Sequence, residues 1–201
     1  MNSPPRATSA VDPEVVLASA SPRRAHILRS LGVTFRVVVT NVDETLFPGE
    51  DAAAGAERLA RAKADRALAS ESLPVVAADT LVVCDGGILG KPASPAAAAD
   101  MLRRLAGRRH DVVTGLCVGR GTTRRSAVER TAVTFAEMSE AEIGWYVETG
   151  EPLDKAGAYH VDGRGALFVA AIEGSPSNVA GLPVRLLLRL ARETGVDLGP
   201  P

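Results

Sequence analysis

The chain of 201 residues is long enough to bury a sizeable interior, and hydrophobic residues make up 46% of it. Aromatic residues contribute only 3%, so Val, Leu, Ile and Ala must build the core. The formal net charge is -1, from 23 basic and 24 acidic residues, whereas a non-specific nucleic-acid binder carries a positive excess. We therefore expect one globular domain, or two lobes sharing a core, with no nucleic-acid partner.

The sequence predicts neither a membrane span nor a secretory signal peptide. No apolar run in the sequence is long enough to span a bilayer, and residues 1–13 lack the hydrophobic core of a signal peptide. We expect those residues to form a disordered tail. Cys84 and Cys117 each lie in an apolar run, which predicts buried thiols in a reducing compartment rather than a disulfide or a metal pair. These features predict a cytoplasmic protein with no membrane partner.

Apolar β-rich runs alternate with helical runs rich in Ala, Leu and Arg, which predicts an α/β fold. Turn residues, capping residues and hydrophobic periodicity set the approximate boundaries. In the first third of the chain we predict a strand at 15–19, a helix from Pro22 to a stop at Gly32, a strand at 34–39, an acidic loop at 41–51 and a helix at 51–70. In the middle we predict a strand at 74–84, a hairpin turn at 85–87 with a return strand at 88–91, a helix at 95–106, and strands at 110–119 and 124–136. In the last part we predict a helix at 139–149, an irregular glycine-rich segment with a short hairpin at 150–181, and a helix at 184–194.

The segment SASPRR, residues 19–24, lies between the first strand and the first helix. The first N–H groups of a helix have no partner within it, and that end carries about half a positive charge. Ser19, Ser21, Arg23 and Arg24 stand beside this end. Together they predict a site for an anion such as a phosphate. The alternative is an ordinary serine cap followed by solvated arginines.

Asp79 interrupts the otherwise apolar run LPVVAADTLVVC. Because a buried carboxylate without a partner is costly, we expect Asp79 to face a cation, a metal ion or a polar cleft. The alternative is an Asp exposed at the sheet edge. Two registers of the following hairpin pair Lys91 with either Val82 or Thr80, and both return Lys91 to the neighbourhood of Asp79. Asp79 and Lys91 together would suit a site for a phosphate and a metal ion. The alternative is a simple ion pair across two strands.

Two further charges and one long segment are weaker candidates. Glu44 lies in the acidic loop and Lys63 on the predicted long helix, and such residues are usually solvated. They become informative only if the fold brings them to Asp79. The segment 150–181 has many glycines, which permit close approach of backbone to a ligand. Its length favours a binding role over ordinary surface turns.

Six motifs, in this order, resemble those of the Maf family of nucleoside triphosphate pyrophosphatases, also called septum-formation inhibitor proteins. They are LASASPRR, VDET, AADT, the GKP around Lys91, the TG of VVTG, and EPLDKAGAY…GSPSNVAGLP. The match spans about residues 15–190. The resemblance implies an elongated α/β fold, a mixed sheet flanked by helices with a cleft between two lobes, like that of inosine triphosphatases. We expect it to occupy one domain at 14–197.

The resemblance implies hydrolysis of a nucleoside triphosphate to the monophosphate and pyrophosphate, by attack of water at the α-phosphorus. It also implies a divalent metal ion, Mg²⁺ or Mn²⁺, and often a homodimer. Matched position by position, the resemblance assigns Asp79 as the general base. It assigns Arg24, Lys63 and Lys91 as phosphate ligands, with Arg23 close by. It assigns Glu44 and Asp79 as metal ligands. The alternatives are a non-catalytic regulator of cell division that binds nucleotide, a phosphatase that removes the γ-phosphate, and a structural module.

Three positions of the resemblance concern the choice of base: Arg23, Thr80 and Asp162. The dTTP/UTP-type pattern has Arg, Thr and Gln there. An ionised Asp only accepts hydrogen bonds, whereas Gln also donates them. The subgroup that prefers 7-methyl-GTP has an acid at the last position but lacks the Arg. The chain therefore mixes the two patterns, which leaves both dTTP/UTP and modified nucleotides open as preferred substrates.

Overall fold

The computed structural model describes residues 14–198, and the tail predicted at residues 1–13 lies outside this range. The strands are β1 Val15–Leu17, β2 Phe35–Val37, β3 Val75–Cys84, β4 Gly87–Leu89, β5 Arg109–Arg120, β6 Thr123–Phe135 and β7 Val169–Glu173. The helices are α1 Pro22–Ser30, α2 Ala52–Leu68, α3 Pro95–Leu105, α4 Glu140–Glu148, α5 Pro176–Val179 and α6 Val184–Glu193. Short 3-10 turns cover Glu151–Asp154, Ala156–Ala158 and Arg164–Phe168.

All seven strands belong to one mixed sheet with the order β2-β1-β3-β5-β6-β7, and β4 pairs with the end of β3. β1 is parallel to both of its neighbours, whereas the pairs β3–β5, β5–β6 and β6–β7 are antiparallel. Helix α2 packs on β3 and β5. The predicted α/β class, a mixed sheet flanked by helices, is confirmed.

Two large hydrophobic clusters lie at different ends of the long strands. One joins β1, α1 and α6 through residues such as Leu17, Leu28 and Leu187. The other joins α3, α4 and the glycine-rich segment around Phe135 and Tyr146. Strands β3 and β5 contribute side chains to both clusters. The sheet therefore connects two separately packed regions, and the residues between them are where side chains from both halves of the chain can meet.

The β3–β4 hairpin uses one of the two predicted registers. Val82 pairs with Leu89 and Cys84 pairs with Gly87, so Asp85 and Gly86 form the turn. Both turn residues have positive φ, 50° and 73°, as the common two-residue hairpin turn requires. Continued past β4, this register leads the chain back toward the middle of β3.

The predicted short hairpin within residues 150–181 is wrong. The described part of this segment contains three 3-10 turns, strand β7 and the short helix α5. β7 pairs with β6 and not with a strand of its own segment, since the 13-residue β6 extends far enough to offer it a partner. Glycines that suggested a hairpin instead permit turns, as at Gly157 with φ 70°.

Both cysteines are buried and free, as predicted. Burial raises the pKa of Cys117 to about 11, because a thiolate is poorly solvated in an apolar interior. Across residues 14–198, no helix combines the length and apolarity that crossing a bilayer demands.

Helix α2 approaches the sheet most closely at Gly115 on β5. A Cβ atom built there would lie 2.2 Å from the backbone carbon and oxygen of Ala56. Gly115 is also the residue that pairs with Asp79 across the β3–β5 ladder. The absence of a side chain at this point therefore sets the distance between α2 and the strand that carries Asp79.

We predict that Gly115→Ala lowers the free energy of unfolding by about 2 kcal/mol, because either α2 or β5 must move to admit the methyl group. Urea denaturation of the variant and the parent protein measures this difference. Gly144→Ala is the matched control, since Gly144 is exposed on α4 with no atom within 4 Å of the new methyl. It should leave stability unchanged or raise it by up to about 1 kcal/mol. Equal effects of the two substitutions would contradict the close-packing argument.

Candidate active site

The N-terminus of α1 lacks a side-chain cap. Ser21 has the backbone position of an N-cap and Pro22 opens the helix, but the Ser21 side chain accepts no N–H of the first turn. Its own backbone N–H donates to Ser19 Oγ at 3.2 Å. The first N–H groups of α1 are therefore not occupied by a serine cap, and this helix end retains its capacity to bind an anion.

Arg24 is a buried cation held by neutral acceptors. Its Nε donates to the carbonyl of Gly181 at 2.8 Å, and its two Nη atoms donate to Ser19 Oγ at 2.9 Å and Thr80 Oγ1 at 3.0 Å. Burial lowers the pKa of Arg24, and the charge of Asp79 opposes that shift. A guanidinium has five N–H groups, so these three bonds leave two for a ligand.

Lys63, Asp79 and Glu44 form a charge cluster. Lys63 Nζ lies 2.6 Å from Asp79 Oδ1 and 2.7 Å from Glu44 Oε1. Lys63 and Asp79 are each only 7% exposed, whereas the Glu44 side chain is 58% exposed. Asp79 thus faces a cation, as its burial requires. Glu44 and Lys63 were candidates only if the fold brought them to Asp79, and the structure places both next to it.

One cavity of about 410 Å³ collects most of the predicted residues. Lys91 reaches it from the chain beyond β4. The loop between β1 and α1, the helices α1 and α2, strand β3 and the acidic loop supply the others. The predicted residues that line it are Ser19, Ser21, Arg23, Arg24, Glu44, Lys63, Asp79 and Lys91. Their basic and acidic groups and hydroxyls form a strongly polar wall, which is the chemistry that a phosphate chain requires.

Thr80 and Asp162 are not among the described residues that line this cavity. Thr80 accepts the bond from Arg24, and its Oγ1 lies 3.0 Å from Thr114 Oγ1, so it supports the guanidinium. Asp162 is exposed and acts electrostatically on Arg23. Burial lowers the pKa of Arg23, and the negative charges of Asp154 and Asp162 oppose that shift.

The glycine-rich segment contributes three lining residues to which the sequence assigned no role: Asp154, Lys155 and His160. The length of the segment was the signal for a binding role. The sequence also showed Asp154 and Lys155 as polar residues of this segment, without a role for either, and gave no signal for His160. Asn178, from the same segment, is fully buried and donates to Val112 O and Thr131 Oγ1, both at 3.0 Å. It therefore anchors the chain near Gly181 rather than lining the cavity.

The turn that carries His160 and Asp162 is fixed by a buried phenol and a carboxylate. The His160 N–H donates to Tyr146 Oη at 3.0 Å, and Tyr146 Oη donates to Glu151 Oε1 at 2.7 Å. Glu151 also accepts the N–H groups of Arg164 and Gly165 at 3.1 and 3.0 Å. Both ends of the turn are therefore tied to one carboxylate.

The donor set suits a divalent cation that arrives with a phosphate ligand. Within residues 14–198, no group of three or more His, Cys, Asp or Glu residues gathers around a common point. Glu44 and Asp79 do share one cation, the Lys63 ammonium. Mg²⁺ is commonly bound by one or two carboxylates together with water and substrate phosphates. Two carboxylates in a cavity lined by basic groups fit that pattern.

Comparison with known proteins places the chain in a family. The family model described as Maf-like protein matches residues 14–194. A dTTP/UTP pyrophosphatase of Anaeromyxobacter sp. (strain Fw109-5) is 52% identical over 189 residues, covering 92% of this chain and 91% of that one. A protein of the same name from Moorella thermoacetica is 50% identical, covering 92% and 97%.

A solved structure, that of the Staphylococcus aureus Ham1 protein, superposes with a TM-score of 0.52 at 16% identity. The match covers 89% of this chain and 98% of that one, and at such identity it supports the fold alone. The family match extends over nearly all described residues and includes every element that lines the cavity. The chain belongs to the Maf-like protein family.

Proposed function

We propose that this protein is a nucleoside triphosphate pyrophosphatase, which hydrolyses a nucleoside triphosphate to the monophosphate and pyrophosphate. One observation carries the proposal: a buried carboxylate, Asp79, lies in the same cavity as Arg24, Lys63, Lys91 and an uncapped helix N-terminus. Relatives at about 50% identity are named dTTP/UTP pyrophosphatases, which supports the same class of reaction.

The phosphate chain would bind where the basic groups converge. The end of α1 offers backbone N–H groups, and Arg24 offers two N–H groups not used by protein acceptors. Lys63 on α2 and Lys91 beyond β4 add two ammonium groups. Because negative charge builds on the leaving pyrophosphate, preorganised cations at this position stabilise the transition state more than the ground state.

In the proposed reaction, Asp79 orients a water molecule and accepts one of its protons. The water oxygen forms a bond to the α-phosphorus while the bond to the bridging oxygen of pyrophosphate breaks. Lys63 holds the Asp79 carboxylate in place at 2.6 Å. Glu44 and Asp79 would also hold a divalent cation, which when bound neutralises phosphate charge.

For the base, we propose dTTP and UTP as preferred substrates. Arg23 and Thr80 agree with the pattern for these nucleotides, and the named relatives carry that specificity in their names. Asp162 departs from the pattern. Burial lowers the pKa of Arg23, and Asp162 lies near enough to oppose that shift. The proposed role of all three residues in base selection, and the homodimer that the resemblance implies, stay predictions.

We predict that the protein with Mg²⁺ converts dTTP and UTP to monophosphate and pyrophosphate. In water enriched in ¹⁸O, the label should enter the monophosphate, because the attack is at the α-phosphorus. Separation of products by ion-exchange chromatography with mass analysis measures both. Release of orthophosphate and a nucleoside diphosphate would instead identify a γ-phosphatase. Thermal stabilisation by nucleotide without turnover would identify a binding regulator.

We predict that Asp79→Asn reduces turnover by about 10³-fold, because the amide cannot accept the proton of water. The variant should still unfold cooperatively and still be stabilised by nucleotide, which thermal denaturation with and without dTTP measures. Asp100→Asn is the control, since Asp100 is an exposed carboxylate on α3 outside the cavity. Parental turnover in a folded Asp79→Asn protein would remove Asp79 from the mechanism.

We predict that Glu44→Gln raises the Mg²⁺ concentration for half-maximal activity by about tenfold, since the site loses one of two anionic oxygen ligands. Turnover at saturating Mg²⁺ should fall much less. Titration of activity with Mg²⁺ at fixed dTTP measures this shift, and Glu148→Gln, at an exposed acid on α4, is the control. An unchanged Mg²⁺ dependence would exclude Glu44 as a ligand.

A further inference from the structure

One aromatic side chain belongs to the described part of the cavity wall. Among the described residues that line it, His160 is the only one with an aromatic ring. The other polar lining groups are hydroxyls, carboxylates, ammonium and guanidinium groups, which suit phosphates, sugar hydroxyls and a metal ion. A nucleobase is a planar ring whose faces are poorly hydrated, and proteins commonly bind it by stacking a planar side chain on one face.

The backbone at His160 is held in place before any ligand arrives. Its backbone N–H donates to the buried Tyr146 hydroxyl, and Glu151 fixes the other end of the same turn. A side chain at Gly165 would lie 2.6 Å from Tyr146 Oη, so the turn is also closely packed. Because the backbone of this turn is already fixed, a ligand that contacts the ring does not have to order the turn.

The surroundings of His160 also favour an uncharged side chain, unlike the basic groups proposed to bind phosphate. Burial lowers the pKa of the imidazole, and the neighbouring cations Arg23 and Lys155 lower it further, against smaller effects of Glu151 and Asp162. The ring is therefore biased toward its neutral form, which favours stacking on a base over pairing with a phosphate.

We propose that His160 stacks on the nucleobase of the bound triphosphate and so contributes to nucleotide affinity from the base side of the cavity. The inference rests on the proposed function, because it takes a nucleotide as the ligand. It assigns His160 no part in bond breaking. Its loss should therefore weaken binding of the nucleotide while the chemical step is preserved.

The test compares a nucleotide with a ligand that has no base. We expect His160→Ala to raise the KM for dTTP, and the Kd of a non-hydrolysable α,β-imido analogue, by about tenfold. The kcat should stay within about twofold, and inhibition by pyrophosphate should be unchanged. His26→Ala is the matched control, because His26 is exposed on α1 and does not line the cavity.

His160→Phe separates stacking from hydrogen bonding. A phenyl ring retains a flat face, so this variant should keep the KM for dTTP within about threefold of the parent value. A loss as large as that of His160→Ala would overturn stacking. Unchanged dTTP affinity in His160→Ala, or an equal loss of pyrophosphate binding, would overturn the base contact. If the parent protein has no turnover, the proposed function fails, and the Kd of the analogue still decides the role of His160.

Discussion

The structure depends on a single buried ammonium group, that of Lys63, which lies between two carboxylates. Asp79 is 7% exposed in the middle of an apolar strand, and a charge there without a partner would cost several kcal/mol. Lys63 removes that cost, and Glu44 extends the cluster to the mouth of the cavity, where its side chain is exposed. Because breaking such a pair leaves an uncompensated charge, the acid and the base must be placed together by the fold. Their placement is also what the proposed chemistry requires.

Two features of the backbone maintain this placement. The close approach of α2 to β5 at Gly115 brings the helix that carries Lys63 against the strand opposite Asp79. On the other side, the carbonyl of Gly181 and the hydroxyl of Thr80 hold Arg24 without neutralising it. Neutral acceptors fix the direction of a guanidinium and leave its charge available to an anion. The fold thus supplies Lys63, a cation paired with carboxylates, and Arg24, a cation bonded to neutral acceptors. The proposed metal–triphosphate ligand would use both.

Much of this arrangement follows from the sequence, and the failures have physical causes. Asp79 was recognisable because an acid in an apolar strand needs a partner, and its partner Lys63 became informative only through the packing of α2 against the sheet. Local turn chemistry allowed two hairpin registers and could not decide between them. Both registers place Gly86 in the two-residue turn, where a positive φ is needed. His160 was missed because a histidine in a glycine-rich segment has no periodic pattern to reveal which way it points. The wrong hairpin at 150–181 arose similarly: β7 pairs with a strand distant in sequence, and such long-range pairing leaves no local signal.

The arrangement of charges also implies an order of events when a ligand enters. Lys63 uses two of its three N–H groups on the carboxylates, so a phosphate that takes up more than the third must weaken at least one of those contacts. Glu44 is the more exposed of the two and loses less by returning to water, whereas Asp79 would be left buried. Ligand binding should therefore release Glu44 first, which frees its oxygens for a cation bound to the phosphates. The buried pair then persists through binding, and the carboxylate proposed to accept the proton stays oriented until the water reacts.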